Sequence, residues 1–149
     1  METREKIKVE TTLKVPVEKA WECFTEPQHI TQWNFASVDW KCPEVDNDLR
    51  PGGKFNYRME ARDGSVGFNF KGRYLVVEEF QSIVYRIADE RMVSVEFVQE
   101  GDETRVSEIF ESENIHPAEE QRKGWQAILD HFKKHTEKVF ESAGYGINT

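Results

Sequence analysis

A chain of 149 residues with a formal net charge of −8 at pH 7 and 38% hydrophobic residues is expected to form one domain over residues 1–149, burying roughly two-thirds of its extended surface. The acidic excess argues against nucleic acid and against an anionic membrane as partner, because phosphate contact and counterion release need a basic patch. No apolar run approaches a membrane span, Met1 to Glu5 are charged and unlike a signal, and Cys23 and Cys42 lack CxxC spacing, so a cytoplasmic protein with reduced thiols is expected, with one disulfide between them as the alternative.

Ile7 to Val15 reads as an opening strand, with Ile7, Val9, Thr11, Leu13 and Val15 on one face. Pro16 suits the first position of a helix, and Val17, Ala20, Trp21 and Phe24 follow at helical spacing. Pro27 ends that helix and starts another short one carrying Ile30 and Trp33. Residues 34–45 hold Phe35, Trp40 and Cys42 without a regular period and are expected to be irregular. Pro51-Gly52-Gly53 then reverses the chain, since proline presets one backbone angle and Gly52 can take a positive one.

Beyond this turn the period becomes two. Phe55, Tyr57, Met59 and Ala61 share a face, and Asp63-Gly64 is a hairpin signal. Val66, Phe68, Phe70, Gly72, Tyr74 and Val76 share the next face, followed by Ile83, Tyr85 and Ile87, then Val93, Val95 and Phe97. Gly101-Asp102 turns the chain into Thr104, Val106, Glu108 and Phe110. Short links between these runs predict an antiparallel meander with one face on the core. A last helix of about 25 residues, near 37 Å long, starts at Pro117 with Glu119 and Glu120 in its first turn and is expected to stop at Gly144. Mid-helix Gly124 costs about 1 kcal/mol against alanine, which either a close backbone approach or plain tolerance explains. The layout is α+β, with helices on one side of the sheet.

This order, with Val15-Pro16-Val17-Glu18-Lys19-Ala20-Trp21, Pro27 with Ile30 and Trp33, Asp48-Leu49-Arg50-Pro51-Gly52-Gly53-Lys54-Phe55, Asp63-Gly64, Gly72-Arg73-Tyr74, Thr104-Arg105-Val106-Ser107 and Gln121-Arg122-Lys123-Gly124-Trp125-Gln126, resembles the activator of heat-shock-protein-90 ATPase homologue family. That family belongs to the START-like, or SRPBCC, superfamily of helix-grip domains. The resemblance covers nearly the whole chain. It implies a seven-stranded antiparallel sheet curved around the C-terminal helix, two short helices after strand 1, and a cavity between sheet and helix that opens near them. It implies less about function, since the superfamily spans lipid carriers, plant hormone and allergen proteins and cyclases. The co-chaperones that gave the family its name carry an additional N-terminal chaperone-binding domain, whereas this sequence starts almost directly at its first strand.

Candidate ligand-binding residues follow from strand parity and helix spacing. Phe55, Tyr57, Phe68, Phe70, Tyr85 and Phe97 point inward, toward Trp125, Leu129 and Phe132 of the helix. Aromatics with a few polar tips line pockets and also build plain cores. Trp33, Phe35 and Trp40 stand where the family cavity opens. Glu108 is the sharpest single residue. Parity puts it on the inward face, where a carboxylate is costly unless paired, with an outward bulge or a partner such as Arg73 or Arg105 as the alternative. His131 and His135 stand at i, i+4 with no third ligand of obvious spacing, and a surface or structural role is expected for them. No metal, no cofactor and no recognisable nucleophile are expected.

The leading functional expectation is a binding module for a hydrophobic or amphipathic small molecule held between sheet and helix. An enzyme of the cyclase or hydrolase sort, using Glu108 or a tyrosine in the same cavity, is the second reading. A chaperone partner engaged through the outer sheet or a loop is the third.

Overall fold

The computed structural model describes residues 4–143. In chain order the elements are β1 (Lys6–Leu13), α1 (Val17–Thr25), α2 (Pro27–Ile30), β2 (Trp40–Asn47), β3 (Lys54–Ala61), β4 (Gly67–Glu78), β5 (Ser82–Ile87), β6 (Met92–Glu100), β7 (Glu103–Glu111) and α3 (Ala118–Ser142). The seven strands form one sheet in the order β1-β7-β6-β5-β4-β3-β2, with every neighbouring pair antiparallel. After β1 the chain crosses through α1 and α2 to the far edge. It then meanders back until β7 pairs with β1, Val9 opposite Glu108. The sheet curls around α3, giving the α+β helix-grip architecture of the START-like class.

Local chemistry explains most of these boundaries. Pro16 and Pro117 stand just ahead of α1 and α3 with extended ψ of 158° and 145°, because a residue with no N–H to offer fits where the helix has no carbonyl to receive it. Gly52 takes φ +84° in the turn before β3. That turn is pinned to β4 by Gly52 N–H to the Tyr74 carbonyl at 2.8 Å and Tyr74 N–H to the Gly53 carbonyl at 2.9 Å. The expected stop at Gly144 lies outside the described residues.

Two expectations are corrected. Residues 40–47 form an edge strand, β2, where irregular chain was expected. Pro43 and a register shift between Lys41 and Glu44 break the alternation that would have revealed it, and an edge position tolerates a proline because its N–H side faces no partner strand. In β4 the expected inward set runs only as far as Tyr74. A second irregularity between Tyr74 and Val76 turns Val76 outward and brings Val77 against the core. Val66 also stands exposed, just ahead of the strand.

The core lies between the sheet and the helices. Phe24 of α1 meets Trp33, Phe97 and Phe132 at centroid distances of 5.4, 5.4 and 5.2 Å, and Trp21 packs edge-on to Phe97 at 5.1 Å. A second group of rings surrounds buried Phe55 with Tyr57, Phe70, Tyr74 and Tyr85. Between these two groups the interior is not filled.

Candidate functional site

The unfilled space is a pocket of about 250 Å³ between the concave face of the sheet and the helices. β3 and β4 contribute Tyr57, Met59, Phe68, Phe70 and Tyr74, and β5 contributes Ile83 and Tyr85. Phe24 and Thr25 close it from α1, Trp33 and Asn34 from the segment after α2, and Trp125 and Ile128 from α3. Phe68 is half exposed and packs against Trp40, centroids 5.7 Å apart, which puts this pair at the rim.

Polar groups entering this apolar space are few. Glu108 comes from the middle of β7, between Val106 and Phe110, both fully or nearly fully buried. It is only 7% exposed. Among the described residues no hydrogen bond or ion pair reaches its carboxyl group. Arg105 points to the other face of the sheet and pairs with Glu100 at 3.3 Å, and Arg73 is exposed, so neither neutralises Glu108. Burial pushes its pKa up to about 8, because charge is poorly solvated in an apolar wall. At neutral pH Glu108 is thus mostly a carboxylic acid, able to donate one hydrogen bond and accept others.

The tyrosines are held in their neutral forms. Burial raises Tyr57 and Tyr85 well above the ordinary value, with the nearby Glu108 charge adding to the effect on Tyr85. Tyr74 is raised to about 12, again by burial first, while its hydroxyl donates to Asn47 Oδ1 at 2.5 Å. Arg91 also lines the pocket. Its guanidinium is occupied by Asp89 Oδ2 at 2.7 Å from Nε and by the Glu111 carbonyl at 3.1 Å from Nη1. Chemically, the arrangement is an aromatic chamber with one unpartnered acid.

A family model described as activator of Hsp90 ATPase homolog 1-like protein matches residues 14–137. The chain belongs to this family. It is similar to the AHSA1-like protein from Aeromonas hydrophila at 38% identity, with a TM-score of 0.85 and 94% of each chain covered. A protein from Cytophaga hutchinsonii is 44% identical, with a TM-score of 0.78, over 91% of this chain and 94% of that one. A Nitrosomonas europaea protein at 21% identity and TM-score 0.74, covering 90% and 95%, shares the fold. Comparison with curated proteins gives no match.

Within this family member, the structure brings Tyr57, Phe68, Phe70, Tyr85, Glu108 and Trp125, expected inward from parity and helix spacing, around the pocket together with Trp33, expected where the family cavity opens. The other candidates lie elsewhere. Phe97 and Phe132 are buried against Phe24 of α1, Leu129 is buried in the core, and Phe55 is enclosed by the rings of its own sheet face. Phe35 packs on the His131 ring, centroids 5.0 Å apart, and Trp40 backs Phe68 without facing the pocket. His131 and His135 do not share a task. His131 Nδ1 meets the Phe35 carbonyl at 2.5 Å, whereas His135 faces His29.

Sequence reasoning did not select Arg91, Asn34 or Thr25. Arg91 follows the Asp89-Glu90 turn, where Glu90 has φ +70°, and a turn carries no period from which to infer direction. Asn34 follows α2, its side-chain amide 3.4 Å from Met59 Sδ. Thr25 ends α1 with its hydroxyl bonded to the Trp21 carbonyl.

Proposed function

We propose that this protein shelters a small, mainly aromatic or apolar molecule between its sheet and α3, and orients it through Glu108. One observation carries the reading: an almost fully buried carboxyl group without a protein partner, set among aromatic walls. A buried acid left unpaired costs stability, and a ligand group accepting its proton in a hydrogen bond offsets that cost. Apolar ligand surface removed from water contributes about 25 cal/mol per Å².

The volume limits the ligand. A pocket of about 250 Å³ suits a molecule of one or two rings and not a two-chain lipid. The walls are mainly aromatic, Glu108 is the one carboxyl group among the lining residues, and Arg91 is held by Asp89 and the Glu111 carbonyl, which favours binding over acid–base catalysis.

The test is NMR titration of the protein with a panel of mono- and bicyclic aromatic alcohols, ketones and amides. The expected result is selective shifts of the Trp33 and Trp125 indole signals, with affinity reduced by Glu108→Leu. Binding that leaves these signals unmoved, or that is indifferent to Glu108→Leu in a folded variant, would overturn the reading.

A further inference from the structure

Three helices bring a different set of donors together, none of them lining the pocket. Cys23 on α1, His29 on α2 and His135 on α3 place a sulfur and two ring nitrogens within 4.8 Å of one another. His29 Nδ1 and His135 Nε2 are 2.9 Å apart. The other ring nitrogen of His29, Nε2, lies 3.5 Å from Glu22 Oε2. A carboxylate that accepts the Nε2 proton leaves the Nδ1 lone pair free and directed at His135, the outer-sphere arrangement that orients metal-binding histidines.

Cys23 is fully buried. Burial pushes its thiol up to about 11, against which the neighbouring Thr136 hydroxyl is the lesser, lowering influence; that hydroxyl has no hydrogen bond of ordinary geometry despite complete burial. A thiolate at Cys23 would accept that orphaned hydroxyl proton. A neutral thiol and a single bond between the imidazoles leave it unused. Opposing charges near the cluster are mixed: Glu22 and Glu26 form an overlapping group with His29, while Lys19 sits 3.2 Å from Glu22 and Lys138 acts on His135.

We propose that Cys23, His29 and His135 form a site for Zn²⁺, or a transition metal of similar softness, which clips α1 and α2 to α3. One thiolate and two imidazoles are the donor set that borderline-soft ions prefer over calcium or magnesium. Zn–N distances of about 2.0 to 2.1 Å and Zn–S of about 2.3 Å put tetrahedral ligand atoms roughly 3.3 to 3.6 Å apart. The two nitrogens need to separate by only a few tenths of an ångström. On binding, the Cys23 proton is released to solvent and His135 holds its proton on Nδ1, so that both facing nitrogens offer lone pairs. The fourth position is open to water. The clip would fix α1, which supplies Phe24 and Thr25 to the pocket wall, and α2, which leads into Trp33, but it stands independently of any ligand there.

The untagged protein, stripped with a chelator and kept reduced, is titrated with Co²⁺ and then Zn²⁺. One equivalent of Co²⁺ is expected to produce tetrahedral visible bands and a thiolate-to-cobalt charge-transfer band in the near ultraviolet, both removed by one equivalent of Zn²⁺. His29→Asn and His135→Asn each weaken Zn²⁺ binding by about 100-fold or more, and Glu22→Gln by about tenfold. Cys23→Ser removes the charge-transfer band, and if that variant fails to fold, the band in the unaltered protein decides alone. No charge-transfer band and no endpoint at one equivalent in the unaltered protein would overturn the proposal, as would His135→Asn binding Zn²⁺ as tightly as the parent.

Discussion

Phe110 of β7 and Trp125 of α3 lie face to face, ring centroids 4.0 Å apart and planes 9° from parallel. This stack joins the sheet to the long helix two residues along the strand from Glu108, so the contact that holds α3 to the sheet also holds Trp125 in the pocket wall. Stacked rings contribute about 0.5–1.5 kcal/mol beyond the area they bury. Trp125→Ala is therefore expected to cost about 3 kcal/mol, read as a lower urea midpoint with an unchanged slope. Trp125→Phe should retain most of that, costing under about 1.5 kcal/mol. Equal losses from the two substitutions would show that the stack holds nothing together.

Two glycines with similar sequence prospects have opposite expectations. A Cβ built at Gly124 meets nothing within 4 Å, so no neighbouring backbone accounts for this residue in the middle of α3. Gly124→Ala is expected to stabilise the protein by about 0.8–1 kcal/mol. At Gly72 a Cβ would stand 2.4 Å from the Phe55 ring and 2.8 Å from the Arg86 carbonyl. Phe55 is buried among four other rings and has nowhere to move, so Gly72→Ala is expected to destabilise by about 1–3 kcal/mol. Thermal denaturation of both variants checks the pair, and a destabilised Gly124→Ala would reveal a constraint on α3 that the packing does not contain.

Alternation was a reliable guide wherever a strand had one wet face. β1, β3, β5, β6 and β7 follow their predicted parity, and with it came the inward direction of Tyr57, Tyr85 and Glu108. It failed at irregularities. The shift between Lys41 and Glu44 hid β2, and the one between Tyr74 and Val76 reversed the end of β4. Parity also gives direction without depth. Phe97 and Glu108 both point inward, yet Phe97 lies under Trp21 and Phe24 while Glu108 reaches open space. The distinction depends on where α1 crosses the sheet, which no local pattern encodes. His135 illustrates the same limit on the helix. Its i−4 neighbour His131 was the visible companion, and its actual one, His29, is 106 residues away.

Glu108 gives the sharpest dependence on pH. Its folded pKa of about 8 stands above the ordinary value of 4.5, so the folded state binds the proton more tightly than the unfolded one. Between these two values the unfolded chain has released the proton while the folded chain retains it, and stability falls as pH rises. The contribution is complete below about pH 4.5 and is lost progressively up to about pH 8. Each pH unit in that window costs up to about 1.4 kcal/mol, and a total of a few kcal/mol is the expected order. Glu108→Gln keeps the shape and removes the titration, so its advantage over the parent should be small at pH 5 and grow steadily to pH 8. Urea unfolding of both proteins at half-unit steps reads this directly. Parallel stability curves across the window would mean that Glu108 is solvated or paired in solution, and the acid that orients the proposed ligand would no longer be available in the form required.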